Sequence, residues 1–202
     1  MATGVGDSHK GAIAALFFAS ETGNLEAAQR AISGHADVNF NYPKGDTALI
    51  KAARGGHLEV VRFLIEEGAN VNTTNDDGHT ALFQAAVGGH LEVVNLLIGE
   101  EADLNVPQND LDRALLKASE AGHTEVVKLL IEKGADVNVR NVNGSTALIK
   151  ASVIGHSEVV AALIDAGAEL NATNKDGHTA LFKARQWNRS DVVTILIAKG
   201  AV

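Results

Sequence analysis

The sequence predicts an all-α repeat solenoid, in which short helix-turn-helix units stack side by side and are joined by β-turn arms. The tripeptide Thr-Ala-Leu recurs at residues 47, 80, 146 and 179, and Arg113-Ala114-Leu115 fills the remaining slot, so each step is 33 residues. Gly-His pairs keep the same period at residues 56, 89, 122 and 155. Related pieces such as "GANVN" and "GADVN" end at residues 72, 105, 138 and 171. A fixed period of about 20–50 residues is the signature of repeat architectures.

These matches divide the chain into an N-terminal leader, residues 1–13, and a repeat domain, residues 14–202. Five full repeats and a shorter sixth cover residues 14–46, 47–79, 80–112, 113–145, 146–178 and 179–202. The first repeat is found by projecting the period backwards, which places Gly23-Asn24 at the position of the Gly-His pair.

Each repeat is predicted to contain two short helices. In the second repeat Thr47 can cap the first helix through its side-chain oxygen, and Gly55-Gly56 ends that helix. The second helix runs over about residues 58–67, and Gly68 can adopt the left-handed conformation that closes a helix. Apolar residues recur at helical spacing on both helices: Leu49, Ala52, Ala53, Val60, Val61, Leu64 and Ile65. Helices this short are marginal alone in water, so stacking must supply the core.

Composition limits the function classes. The formal net charge is −8, so nucleic acid is not an expected partner. No cysteine is present, which excludes disulfides, thiolate metal sites and a cysteine nucleophile. The apolar run at residues 12–19 is too short for a signal peptide, and no run reaches the roughly 18 residues of a membrane span. We therefore expect an intracellular, cytoplasmic protein that does not bind membranes.

The repeated motifs resemble those of the ankyrin family, whose unit carries T-P-L-H-x-A, G-H-x-E-V-V and G-A-D-V-N. The resemblance covers about Ala14 to Val202. Alanine replaces the family's proline, and an apolar residue replaces its histidine, so we expect apolar packing instead of a threonine–histidine bond. The resemblance implies a protein-interaction scaffold that binds a partner segment along a concave groove lined by the first helices.

The implied groove face consists of three columns of equivalent positions in the first helices of repeats two to six. The formal charges in these columns sum to +4, and the formal charges of the turn-tip residues, which include Asp46, Asp76, Asp110 and Asp112, sum to −4. This pattern predicts a basic floor, an acidic rim and a partner with an acidic or mixed acidic and apolar segment; a merely solvated lysine face is the alternative. The candidate partner-binding residues are Lys51, Arg54, Gln84, Val87, Lys117, Glu120, Lys150, Val153, Ile154, Lys183, Gln186 and Trp187.

No catalytic, metal or cofactor site is predicted. One histidine per repeat forms a row rather than the converging cluster that zinc needs, so we expect these side chains to tie helix ends together. Aspartates such as Asp110 and Asp112 are placed on turn arms, where they favour local backbone bonds. Neither a GxSxG motif nor a phosphate-binding loop is present, and we predict no enzyme.

Two alternative functions remain open: polyanion or nucleotide-phosphate binding through the lysine row, and a purely structural spacer. Trp187 is expected to project into solvent near Ile154, or alternatively to shield the end of the stack. The junction around Glu101 and Pro107 is expected to be the weakest seam, because turn and capping residues are replaced there.

Overall fold

The computed structural model describes residues 4–99 and 108–202, which belong to two compact units, Met1–Val106 and Pro107–Val202. Within the described residues each unit contains three helix pairs. The all-α repeat class is therefore confirmed.

Unit 1 packs each helix against its pair and against the neighbouring repeat. The first helices, α1, α3 and α5, contact one another in order, and α2, α4 and α6 form a second layer. Fully buried leucine and isoleucine side chains, including Leu16, Leu49, Ile50, Leu64 and Leu97, fill the space between them. The helices are α1 (Gly4–Thr22), α2 (Leu25–Ser33), α3 (Ala48–Gly55), α4 (Leu58–Glu66), α5 (Ala81–Gly88) and α6 (Leu91–Ile98).

Unit 2 repeats this arrangement with its own core. First helices α7, α9 and α11 pack in sequence, and α8, α10 and α12 pack behind them. The buried side chains include Leu115, Leu130, Leu148, Leu163 and Leu196. The helices are α7 (Gln108–Ala121), α8 (Thr124–Glu132), α9 (Ala147–Ile154), α10 (Ser157–Asp165), α11 (Ala180–Gln186) and α12 (Ser190–Ala198).

The predicted threonine caps are confirmed in both units. Each threonine oxygen accepts a hydrogen bond, 3.2–3.3 Å long, from the backbone N–H three residues further on. Replacing such a cap by alanine typically destabilises a helix by about 1 kcal/mol. The pairs are Thr47 with Ile50, Thr80 with Phe83, Thr146 with Ile149 and Thr179 with Phe182.

The first helix of each unit is longer than predicted. Helix α1 has 19 residues and α7 has 14, against seven or eight in the other first helices. Elsewhere a glycine two residues before the capping threonine turns the chain with φ of +71° to +76°; these are Gly45, Gly78, Gly144 and Gly177. Ala12 and Leu111 occupy that slot in the first and fourth repeats; the left-handed turn is unfavourable for them, so α1 and α7 run through these positions.

Two expectations are corrected by helix α7, and helix α1 contains the predicted boundary between leader and repeat domain, residues 13 and 14. Asp110 and Asp112 lie in α7 rather than on a turn arm, and Asp110 is buried. Arg113 is also inside α7, so it does not stand at a helix start that needs a cap. The rest of the expected weak seam, including Glu101 and Pro107, lies outside the described residues.

In unit 1 the side chain of Tyr42 connects the turn arm to a helix. The equivalent described positions of unit 2 hold Asn141 and Asn174, whose side chains instead accept hydrogen bonds within their own turns. The Tyr42 hydroxyl donates to the backbone oxygen of Ile13 at 2.5 Å, and its ring stacks on Phe17 at 3.9 Å. Burial raises the pKa of Tyr42 to about 12. The turn arm and the long α1 are thus fastened together.

Among the described residues, none of the helices has both the length and the apolar character required to cross a membrane.

Candidate functional site

The periodic histidines are structural, as predicted. The Nε2 of His57 donates to the backbone oxygen of Glu21 at 3.0 Å, and His90 makes the same bond to Arg54. In unit 2 His156 donates to the oxygen of Glu120 at 3.1 Å. Each imidazole therefore satisfies a carbonyl at the end of the preceding first helix.

Arg189 performs the same task in the last repeat. Its Nε donates to the backbone oxygen of Val153 at 2.9 Å, across the same separation of 36 residues. The sequence has Asn188-Arg189 where four other repeats have Gly-His. Arginine, like histidine, carries a side-chain N–H donor, and this shared property is the signal that could have predicted the bond.

Within residues 4–99 and 108–202 there is no group of three histidine, aspartate or glutamate side chains that could hold a metal ion. The clefts at the helix ends of unit 2 measure about 220 and 320 Å³. Ser157 and His156 line the larger one, but the Nε2 of His156 is committed to the Glu120 carbonyl.

The groove face of unit 1 is held by a buried carboxylate. Asp46 accepts two hydrogen bonds of 3.2 Å from the guanidinium of Arg54, and Lys51 lies 3.7 Å away. Asn75 donates to the same carboxylate at 2.9 Å. Lys51 also pairs with Glu21 at 3.1 Å. The prediction that Asp46 belongs to an acidic rim is wrong, because its side chain is buried and is enclosed by Arg54, Lys51 and Asn75.

The next repeat of unit 1 presents polar and apolar groups without a formal charge. Gln84 is half-buried, and its Nε2 lies 3.4 Å from the Nδ1 of His79. That imidazole stacks on Phe83, with ring centroids 4.1 Å apart. Phe83 replaces the family's histidine, so the expected apolar packing there includes an aromatic stack. Val87 is 38% exposed.

In unit 2 one carboxylate serves two lysines. Glu120 lies 2.9 Å from Lys117 and 2.7 Å from Lys150. Partial burial opposes ionisation of Glu120, but the hydrogen bonds from Lys150 and Lys117 outweigh it and lower its pKa. The floor predicted as basic is therefore largely neutralised here, as it is around Asp46. The charge sum over columns counted Glu120 but not its contacts, which are Lys117 in the same helix and Lys150 in the next repeat.

Beyond these pairs the groove face of unit 2 becomes apolar. Val153 is half-buried, Ile154 is 43% exposed and Trp187 is 53% exposed. Lys183 donates to the Oε1 of Gln186 at 3.0 Å. The structure thus places Trp187 at the surface, where one of the two sequence hypotheses put it.

The local backbone explains the position of Trp187. Helix α11 ends at Gln186, and Trp187 is the residue that follows, with φ of −102°. Asn188 then adopts the left-handed conformation, with φ of +54°, that glycine provides in the other repeats. Asparagine tolerates this conformation better than most residues. The indole is consequently carried on the helix end rather than on a flexible arm.

Comparison with protein families gives one match that covers most of the chain. A family model described as "Ankyrin repeats (3 copies)" matches residues 16–110 and 115–202. No curated protein matches the sequence significantly.

Solved structures give several similar chains. An ankyrin repeat domain from Acinetobacter baumannii is 29% identical, with 93% of this chain and 98% of that chain covered and a TM-score of 0.78. A chain from a complex of a predatory endopeptidase with an immunity protein, from Bdellovibrio bacteriovorus, is 29% identical, with coverages of 92% and 97% and a TM-score of 0.80. The ankyrin repeat domain of Bcl-3, a member of the IkappaB protein family, is 26% identical, with coverages of 93% and 86% and a TM-score of 0.80.

Proposed function

Because the chain belongs to the ankyrin-repeat family, we propose that it binds another protein through the groove face of its first helices. Ankyrin-repeat domains mediate protein–protein interactions. The observation that carries the proposal is the exposure of large apolar side chains on this face, Ile154 at 43% and Trp187 at 53%. Exposed apolar surface on a folded protein commonly marks a contact site, and tryptophan is enriched among binding hot spots.

One structural relative supports a binding role for a chain of this size. The Bdellovibrio complex contains an immunity protein with an endopeptidase, and nearly the whole of the matched chain is covered by this protein. The matched chain is thus part of a protein complex in that case. We infer a similar role here, with a partner of unassigned identity.

Capture of partners by a matched pair of variants tests the proposal. Ile154→Asp puts a charge on the groove face, whereas Ile197→Asp makes the same change on α12, where Ile197 is 50% exposed. We expect proteins captured from lysate by the wild-type chain to be lost with Ile154→Asp and kept with Ile197→Asp. Equal capture by both variants would contradict a groove-face partner, and no specific capture at all would favour the structural spacer.

An acidic partner segment would first have to compete with Glu120 for Lys117 and Lys150. Replacing both lysines by glutamate should therefore slow association with a captured partner at low salt, since complementary charge acts mainly on the association rate. Unchanged association kinetics would show that these lysines serve only Glu120.

The polyanion alternative receives less support, because Lys51, Lys117 and Lys150 each contact a carboxylate. Heparin titrated at two salt concentrations distinguishes the two functions. Binding that falls steeply with salt, independently of Ile154→Asp, would favour a polyanion.

A further inference from the structure

The last repeat has a charge opposite to that of the chain. Residues 179–202 contain four basic residues and one acidic residue, a net +3 in a protein of net −8. Lys199 pairs with Asp165 at 3.0 Å, and Arg189 is committed to the carbonyl of Val153. The positive charge on the groove side of this repeat therefore resides on Lys183, with Arg185 exposed two residues further on.

Lys183 differs from the other lysines of the groove face. Lys51 contacts Glu21 and Asp46, while Lys117 and Lys150 share Glu120. In the described part of the chain no carboxylate lies within 4.0 Å of the Lys183 ammonium, which donates only to the neutral amide of Gln186. An incoming carboxylate would meet no competing acid at this position.

The apolar groups of the groove face lie beside this ammonium. Lys183 and Trp187 are four residues apart, so they project from the same side of the end of α11. Ile154 holds the position equivalent to Trp187 in the preceding repeat. A charged group and an exposed indole this close together suit a ligand that carries both a carboxylate and a bulky apolar group.

We propose that Lys183, Trp187 and Ile154 form the anchoring point for a partner segment in which an acidic side chain neighbours an aromatic or large aliphatic one. The carboxylate pairs with Lys183, and the apolar side chain packs on Trp187 and Ile154. This inference rests on the proposed function, because it names the partner chemistry of the same groove face. It assigns the binding energy to one end of unit 2 instead of to a lysine row.

A protein segment suits this site better than a nucleic acid. A polyanion gains affinity from several phosphate contacts in a row. Here a single unpaired ammonium stands beside two apolar side chains. Oligonucleotide stacking on the exposed indole is the competing possibility.

The probe is a phage-displayed library of random twelve-residue peptides selected on the full chain, with oligo-dT and poly-L-glutamate as separate probes. We expect enriched peptides to carry Asp or Glu within two residues of Trp, Phe, Leu or Ile. Trp187→Ala and Lys183→Glu should each weaken a selected peptide at least tenfold, as expected for a hot-spot residue and a reversed charge. Trp187→Phe should keep most of the affinity, which separates loss of contact from loss of folding.

Arg62→Glu is the matched charge control, because Arg62 is exposed on α4 and has no place in the site. It should change affinity less than twofold. Poly-L-glutamate should bind at least tenfold more weakly than the selected peptide, since it lacks the apolar group.

Three outcomes would overturn the anchoring point. The first is unchanged affinity of the selected peptides for Trp187→Ala and Lys183→Glu. The second is a selection that enriches no acidic–apolar pattern, and the third is tighter binding of oligo-dT than of any peptide. In the first two cases loss of captured lysate proteins with Ile154→Asp would still support the proposed function, so the two failures are distinguishable.

Discussion

In unit 1 the first helices α3 and α5 end in glycine, Gly55 and Gly88, whereas the equivalent positions of unit 2 hold Ala121, Ile154 and Trp187. A Cβ added at Gly55 would collide with the imidazole of His57. Unit 1 has Thr22 in this column of α1 and no side chain in the next two repeats, whereas unit 2 fills the column with progressively larger side chains. The same helix pair can thus provide a smooth surface or an apolar one through a single position per repeat.

Charge separates the two units as well. Unit 1 contains six basic and fourteen acidic residues, while unit 2 contains eleven of each, so the formal net charge of −8 belongs to unit 1. The ion pairs on the groove face differ correspondingly. Unit 1 uses the buried Asp46 to hold Arg54, whereas unit 2 uses Glu120, whose side chain is 31% exposed. The proposed anchoring residues Ile154, Lys183 and Trp187 lie in the unit without net charge.

The largest expected effect concerns Gly56 and Gly155, the glycines that follow α3 in unit 1 and α9 in unit 2. Gly56 has φ of +71° and a Cβ there would collide with the His90 ring; Gly155 has φ of +101° but faces the flexible side chain of Arg189. Gly56→Ala should destabilise the protein by about 3 kcal/mol and Gly155→Ala by about 1–2 kcal/mol, in urea denaturation. Equal losses would show that the backbone conformation, and not the ring, determines the effect. Gly68→Ala, with open space around it, is the control for the backbone alone.

The second comparison is between the two carboxylates. Asp46→Asn should cost about 2 kcal/mol of stability, because the buried side chain accepts hydrogen bonds from Arg54 and Asn75. Glu120→Gln should cost less than about 1 kcal/mol, since this side chain is partly exposed and its partners are lysines in solvent contact. Thermal or urea unfolding measures both. A larger loss of stability with Glu120→Gln than with Asp46→Asn would show that the stronger of the two carboxylate contacts lies in unit 2.

Buried serines give a smaller effect of opposite sign. The Oγ atoms of Ser20 in unit 1 and of Ser119 and Ser152 in unit 2 are buried and make no hydrogen bond, whereas alanine occupies the equivalent positions Ala53 and Ala86. Ser119→Ala and Ser152→Ala should each raise the free energy of unfolding by about 0.5–1 kcal/mol. The reverse change, Ala53→Ser, should lower it by a similar amount. If Ser152→Ala is destabilising, the hydroxyl has a role that its surroundings do not show.

The smallest effect is a dependence of stability on acidic pH that comes from Glu120 in unit 2. Because the pKa of Glu120 is lowered in the folded state, its pairs with Lys117 and Lys150 stabilise the protein above the ordinary glutamate pKa of 4.5. This contribution is lost as pH falls through the lowered pKa. The difference in stability between the wild-type chain and Glu120→Gln should therefore shrink below about pH 4.5. A difference that is constant from pH 7 to pH 3 would contradict the lowered pKa.

The sequence predicted the elements that depend on residues close to one another. Threonine caps, glycine turns and the histidine ties all follow from short patterns that the period repeats. The same logic could have found the long α1 and α7, because Ala12 and Leu111 stand where the turn needs glycine. The charge of the groove face was less predictable. Lys150 reaches Glu120 from 30 residues away, and such a pair depends on helix packing and on side-chain conformation.

The helix-end ties also bear on how the chain can fold during synthesis. The bonds from His57, His90, His156 and Arg189 each reach back 36 residues, to the helix end of the preceding repeat. Contacts that close over so short a distance need little loop-closure entropy, and they favour rapid folding. At roughly 5–20 residues per second, a ribosome delivers each new repeat within about 2–7 seconds of the one it packs against. Within each unit, a nascent chain can therefore add finished repeats one at a time and does not leave a long apolar stretch waiting for a distant partner.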